Sequence, residues 1–326
     1  MKVIPKPYQA GSSGGRGITK GNLPGKLPSA ILAFRMNHII MRNNLISTTE
    51  NAYLSGRNAH DAIRKWLQTW KLALELELPC YNIFYDFDKA FDKISWQMII
   101  DGITSIGGSE KLGKYLMSFL DGNATRIETS YGFTDWISIR RGIKQGDPLS
   151  ALLFIIAMNV IHKSVAIAAE DSMSGLKPFV LHGATYSTAG FSDDVRLTQG
   201  SEAAARAGND IINEICEHYC IEIGYGKVVA TGRECINGVW VNWTGQIPLS
   251  VLSSTISDHF LLGDDSIEEN HYRKVYVDIK DPMTFVKHLG IEANMMLKSL
   301  AANKIERYIK NVGHLITKTT LGSQSM

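Results

Sequence analysis

Apolar residues recur at helical spacing over residues 59–77, where Ile63, Trp66, Leu67, Trp70 and Leu74 share one face. The pattern predicts an amphipathic helix. Directly after it the period drops to two. Over 81–88, Tyr81, Ile83, Tyr85 and Phe87 alternate with Asn82, Phe84, Asp86 and Asp88, which predicts a strand with one apolar and one mixed face. From Ala90 the helical period returns through Phe91, Ile94 and Met98. Residues 124–141 alternate about Tyr131-Gly132 and predict a hairpin. The run Ala151–Ile161, interrupted by Asn159, predicts a buried helix over about 149–168. A second hairpin is predicted over 184–198, with Ser192-Asp193-Asp194 at its tip, then a helix over 201–219. Short strands over 221–252 lead toward Phe260-Leu-Leu-Gly263, and 283–317 reads as amphipathic helix broken at Gly290 and Gly313. Residues 1–28, rich in Gly, Pro, Ser and Lys, predict loops or a hairpin rather than packed helix. No internal repeat or low-complexity linker is visible. The mixture is α+β, with the acidic elements on adjacent strands of an antiparallel sheet.

Length and charge sharpen this picture. At 326 residues the chain can build two or three subdomains. The net charge of +2 hides a segregation: residues 1–49 carry seven Lys/Arg and no Asp/Glu, and residues 271–326 carry nine against four. That leaves 18 basic and 28 acidic residues between them. Basic ends around an acidic centre suit a polyanion gripped from two sides, although chance asymmetry gives the same tally. Four cysteines at this length do not make a secreted disulfide framework. Cys216-Glu-His-Tyr-Cys220 lacks a second ligand pair and sits on an apolar helical stripe, so it reads as buried helix rather than metal site. Residues 1–30 have no apolar core of a signal peptide, and the longest apolar run is too short to cross a bilayer. A soluble protein of a reducing compartment, with no membrane partner, is expected.

Three segments carry chemistry. Tyr85-Asp-Phe-Asp-Lys-Ala-Phe-Asp92 is followed, 59 residues after Asp86, by Gln145 within Arg141-Gly-Ile-Lys-Gln-Gly-Asp-Pro-Leu-Ser150, and 48 residues later by Asp193 within Phe191-Ser-Asp-Asp194. Each alone is ordinary: a solvated acidic face, a loop, a turn. In this order they supply what phosphoryl transfer needs, namely hard oxygen ligands that hold two Mg²⁺ ions against the attacking and leaving oxygens. If the two acidic strands pair side by side, Asp86 and Asp193 are the bridging ligands and Asp194 a supporting one. Asp88 and Asp92 read as structural: the first points aside and the second caps or pairs on the helix.

These segments resemble the central palm motifs of reverse transcriptases, and the likeness extends outward over about residues 4–318. Ile4-Pro-Lys-Pro7 with Arg16-Gly-Ile-Thr19 resembles the fingers segment, and Ser55-Gly-Arg57 the Gly-Arg element of non-LTR (LINE-like) retrotransposon enzymes. Ile223-Gly-Tyr-Gly-Lys227 resembles the lysine-bearing segment after the Asp-Asp hairpin, and Leu262-Gly263 the primer-grip hairpin. The region from Asp193 to Lys227 is similar to the site-specific branch that carries a restriction-like endonuclease. Only the polymerase core is expected here, without endonuclease, zinc knuckle or RNase H.

The resemblance implies a right-hand polymerase fold whose antiparallel palm sheet packs on helices. Fingers are expected over 1–80, palm over 81–263 with a fingers insertion at about 105–140, and an incomplete thumb over 264–326. It implies an RNA-directed DNA polymerase acting in retrotransposition, with RNA template, DNA primer and deoxynucleoside triphosphates as partners, two Mg²⁺ ions for which Mn²⁺ substitutes, and a site in nucleus or cytoplasm. Lys6 and Arg16 would contact the triphosphate, Gln145 and Gly146 would line the pocket for template base and nucleotide, and Lys227 would protonate pyrophosphate. Phe91 would exclude a 2′-hydroxyl, or else simply anchor its helix. Lys298, Lys304, Arg307 and Lys310 would hold phosphates in a helical thumb, and a surface lysine or a solvated face is the plain alternative for Lys227 and for these. Three positions depart from the family: Ser192 stands before the Asp pair, Ala151 replaces a proline, and Gly17 replaces the fingers proline. Two other readings stay open: an RNA-dependent RNA polymerase, against which Phe91 argues, and a catalytically idle or fragmentary remnant that only binds nucleic acid.

Overall fold

In a computed structural model of the chain, residues 2–5, 15–19, 23–181, 184–252, 272–289 and 291–295 are described. The N-terminal segment pairs β1 (Lys2–Pro5) with β2 (Gly15–Ile18) in an antiparallel ribbon. Helix α1 (Leu23–Asn43) follows, so helix begins inside the stretch expected to be loop, and Pro28 lies within it. Helix α2 (Ala59–Glu75) starts where Asn58 accepts a hydrogen bond from the Asp61 N–H at 3.1 Å. Its predicted apolar face, including Ile63, Trp66, Leu67 and Trp70, is buried.

Strand β3 (Cys80–Tyr85) comes next, then a single turn α3 (Ala90–Lys93) and helix α4 (Trp96–Ser105). The period of Phe91, Ile94 and Met98 predicts one continuous helix. The structure breaks it at Ile94, whose ψ of 131° is extended, before Ser95 begins α4. Helix α5 (Glu110–Leu120) leads into two short ladders, β4 (Ala124–Thr125) with β7 (Ile137–Ser138) and β5 (Glu128–Thr129) with β6 (Gly132–Phe133), which form the expected hairpin.

Helix α6 (Ser150–Glu170) runs through the centre. It is one helix that is long and apolar enough, by length and composition, to cross a bilayer, longer than the apolar run suggested. Most of it is buried instead, including every residue from Leu152 to Asn159. Its contact with α4 is close: a Cβ on Gly102 would lie 2.5 Å from the Ile156 carbonyl oxygen.

Beyond it come β8 (Phe179–Leu181) with β9 (Ala184–Tyr186), then β10 (Thr188–Phe191), β11 (Asp194–Gln199), α7 (Glu202–His218), β12 (Val229–Ile236) and β13 (Val239–Asn242). The central sheet has five antiparallel strands in the order β10-β11-β3-β12-β13. Strand β14 (Gln246–Leu252) pairs with β15 (Tyr272–Asp278), and β16 (Val286–His288) with β17 (Ile291–Ala293).

The sheet is covered on both faces, so all six residues of β3 are buried rather than alternate ones. One core joins Tyr81, Ile83, Tyr85, Val195 and Leu197 to α4, α6 and α7. The other packs Phe84 and Cys80 under Trp66 and Trp70 of α2 and under Val286. Tyr85 donates to Asn209 Oδ1 of α7 at 2.9 Å, satisfying its buried hydroxyl.

The β16–β17 hairpin corrects the expectation of helix from 283. Val286-Lys-His288 and Ile291-Glu-Ala293 alternate about Leu289, which takes φ 52°, so a period of two governs here. The Leu262-Gly263 primer-grip assignment and the thumb residues Lys298, Lys304, Arg307 and Lys310 lie outside the described residues, as does Lys6.

Candidate active site

Asp86 leaves β3 where the sheet register brings two acidic segments side by side. Val195 of β11 pairs with Tyr85, which sets Asp194 beside Asp86, and Phe191 pairs with Asp194 so that Ser192-Asp193 forms the turn. On the other flank the chain after Asp86 is bonded to 222–224: Gly224 N–H donates to Asp86 O at 2.8 Å and Asp88 N–H to Glu222 O at 2.9 Å. That pairing carries Lys227 over Asp86, and its Nζ donates to both carboxylate oxygens at 3.0 and 3.1 Å.

Burial, then the neighbouring charges of Asp193 and Asp86, push the Asp194 carboxyl up to about 6, against a smaller opposing pull from Lys227. Three carboxylates thus crowd one corner, and the chemistry of the set fits a divalent cation. Among the described residues no three His, Cys, Asp or Glu side chains close into a finished metal cage. Magnesium at phosphate chemistry takes one or two carboxylates and completes its shell with phosphate and water, so an open acidic corner suits it.

The Gln145 loop crosses the mouth of this corner. Gly142 N–H donates to Ile94 O at 3.0 Å, Ile143 N–H to Phe91 O at 2.9 Å, and Trp96 Nε1 to Gly142 O at 2.8 Å. Gly142 has φ +75°, and a Cβ there would meet Asp92 O at 2.3 Å, so glycine is required. Thr19 N–H donates to Gln145 O at 2.8 Å, joining the end of the N-terminal ribbon to the loop. Asp147 Oδ1 accepts from Leu149 N–H at 2.9 Å and starts α6.

A cleft of about 820 Å³ lies between these parts, lined among others by Asp86, Phe91, Gln145, Gly146, Asp193 and Lys227. Phe91 faces it from α3, stacked on Phe154 at 4.2 Å between centroids and edge-on to Tyr53 at 6.3 Å. Asp194 stands half-buried beside Asp86 and is not part of the cleft wall. Asp88 also lines the cleft and pairs with Lys93 at 3.5 Å, and Lys93 in turn pairs with Glu222. Asp92 accepts from Gln145 Nε2 at 3.4 Å. Arg16 sits on β2 opposite Ile4.

Two cleft residues were missed in the sequence reading. Lys287, from β16, and Tyr53, which takes φ +53°, both line the wall. The signal for Lys287 was the short alternation around Leu289-Gly290.

Residues 4–247 match the family model described as "Reverse transcriptase (RNA-dependent DNA polymerase)". Curated relatives include the Pol polyprotein of the type-1 retrotransposable element R2 of Popillia japonica, 29% identical over 120 residues, or 36% of this chain and 19% of that protein. A second R2 polyprotein of the same beetle is 41% identical over 90 residues, covering 27% of this chain and 13% of that one. The type-2 element R2DM of Drosophila melanogaster is 30% identical over 118 residues, 36% of this chain and 10% of its own length. The chain therefore spans between a tenth and a fifth of these relatives. Among solved structures, apo telomerase from Candida tropicalis, truncated of its C-terminal domain, superposes with a TM-score of 0.47 at 13% identity, covering 66% of this chain and 43% of that one.

Proposed function

Because the chain belongs to the reverse transcriptase family, which generally uses divalent metals, we propose that it is an RNA-directed DNA polymerase that extends a DNA primer on an RNA template during retrotransposition of an R2-like, site-specific non-LTR element. The observation that carries this reading is the convergence of Asp86, Asp193, Gln145, Gly146 and Phe91 on one cleft, with Asp194 directly behind.

In this reading Asp86 and Asp193, supported by Asp194, hold two Mg²⁺ ions, for which Mn²⁺ substitutes. When bound, the ions offset charge on the attacking and leaving oxygens. The chain's own groups do the rest. Gly146, with φ +105° and no side chain, lets template base and incoming deoxynucleotide approach the loop backbone. The Phe91 ring, fixed by its stack on Phe154, stands under the sugar and leaves no room for a 2′-hydroxyl. Lys227 gives a proton to the departing pyrophosphate, and Lys6 and Arg16 bind the triphosphate from the fingers.

Residues 1–80 are taken as fingers, with 105–140 as their insertion, and the palm is taken from 81 through the β16–β17 hairpin because Val286 and Ala293 pack into the core under the sheet. With Lys287 on the cleft wall, this hairpin suits the role of holding the primer strand.

Primer extension on an RNA template with Mg²⁺ tests the reading by comparing the wild type with Asp193→Asn. Loss of synthesis with template binding retained is expected in the variant. Equal extension by both removes the metal assignment, and a wild type that binds without synthesis makes the chain an idle remnant.

A further inference from the structure

Behind the Ser192-Asp193 turn lies a fully buried acid that the proposed chemistry does not use. Glu50 and His162 have no solvent-exposed side-chain surface, and Glu50 Oε2 stands 3.5 Å from His162 Nε2. That is within reach of charge attraction but outside hydrogen-bond geometry, so both atoms lack a hydrogen-bond partner. Glu50 Oε1 is fully engaged instead. It accepts from Ala52 N–H at 2.7 Å and from Ser192 N–H at 3.4 Å. Ser192 is the turn residue immediately before Asp193 and takes φ +63°, a conformation that a side chain rarely adopts unaided.

The rest of the surroundings fix Glu50 as firmly as a strand would. Glu50 bridges Gly190 in parallel, with Asn51 N–H donating to Gly190 O and Gly190 N–H to Thr49 O, each at 3.0 Å. Arg57 Nη1 donates to Glu50 O at 2.6 Å, and Asn159 Oδ1 of α6 accepts from Ser47 N–H at 2.9 Å. The His162 ring is oriented from its other side by Thr188 Oγ1, 2.8 Å from Nδ1. Space for the pair depends on Gly190, where a Cβ would lie 2.5 Å from His162 Nε2 and 2.6 Å from Glu50 Oε2. A carboxylate is costly to bury dry. A plain packing role would be filled equally well by an apolar residue. What an acid adds is an acceptor aimed at the strained turn.

We infer that Glu50 is a positioning residue: braced by His162, it holds the Ser192 amide and so fixes the Asp193 carboxylate over the cleft. The inference rests on the reading of Asp193 as a metal-holding residue. Its partners lie far apart in the chain, on the loop before α2, on α6 and on the β10–β11 turn.

The test compares Glu50→Met, which keeps the volume and removes the acceptor, with Glu50→Gln, which keeps an oxygen for Ala52 and Ser192. Turnover by Glu50→Met is expected to fall by about ten- to a hundredfold, because a small misplacement of one group costs that much. KM for deoxynucleotide and the primer–template Kd are expected to stay within about twofold, since those ligands are held elsewhere. Hydrogen–deuterium exchange of amides 188–196 is expected to quicken while α6 stays protected, and Glu50→Gln to recover most of both losses. If Glu50→Met fails to fold, Thr188→Val is the milder probe: it removes only the hydroxyl on His162 and is expected to quicken exchange at the same turn. Wild-type turnover and exchange in the folded variant overturn the inference. Asp193→Asn run alongside separates the two ideas: its synthesising normally removes the active-site reading, and its being silent while Glu50→Met is normal removes the positioning role alone.

Discussion

Replacing Asp194 by asparagine is expected to stabilise the metal-free protein at neutral pH. The Asp194 carboxyl is raised from 3.8 to about 6, first by burial and then by the charges of Asp193 and Asp86. Because the folded-state value lies above the unfolded one, the native protein keeps a proton that the unfolded chain has released across this interval. The stability this group contributes is complete below the unfolded value and is lost as pH rises through about 6. The displacement corresponds to about 3 kcal/mol at neutral pH. Water at the rim of the cleft screens these charges, so roughly 1–2 kcal/mol is the working figure. For a chain of 326 residues that is a rise in Tm of roughly 1.5–3 °C. The assay is thermal unfolding of wild type and Asp194→Asn in EDTA at pH 7.5 and pH 5.0. The full gain is expected at pH 7.5 and roughly half of it at pH 5.0, which lies between the two values, and Mg²⁺ should raise the wild type toward the variant. A variant less stable than the wild type at pH 7.5, or an equal gain at both pH values, refutes the reasoning.

Two further substitutions separate the roles of cleft residues. Phe91→Ala is expected to raise ribonucleotide use relative to deoxynucleotide use by at least about tenfold in single-nucleotide extension; an unchanged ratio leaves Phe91 as a core anchor and reopens the choice of substrate. Lys227→Met is expected to lower kcat by about ten- to a hundredfold in single-turnover extension, with the primer–template Kd unchanged; wild-type kcat removes its role as proton donor.

The parts of the fold legible in the sequence were those whose pattern was long or locally closed. The apolar face of α2 and the all-round apolar run of α6 each dictate burial over several turns. The β10–β11 turn is short and bounded by apolar residues, so its tip was readable. What escaped depends on partners remote in the chain. The alternation over 81–88 was real, but α2 covers the face carrying Phe84, so both faces are buried. The helix after Ala90 breaks at Ile94 because the Gln145 loop crosses there and Gly142 bonds to the Ile94 carbonyl, which no local periodicity reveals. At β16–β17 a six-residue alternation was read as part of a longer helical pattern. Glu50 and His162 look unremarkable in sequence, 112 positions apart, and acquire meaning through Gly190 between them.

The acidic corner is positioned mainly by backbone, with one side-chain pair, Lys227 on Asp86, added to it. Asp86 is fixed by the β3 register on one flank and by the Gly224 and Asp88 amide bonds on the other, and Asp193 by a turn whose Ser192 amide is satisfied by Glu50. None of these backbone supports requires a carboxylate at 86, 193 or 194. At Asp194 the carboxylate opposes the fold, since burial first and then the charges of Asp193 and Asp86 keep it reluctant to ionise. A carboxylate that the scaffold can dispense with, and that costs it stability, has to be accounted for by what it does at this corner. The proposed cation binding would account for it: a divalent ion would turn the same repulsion into attraction, so that crowding the acids would add to affinity for the metal.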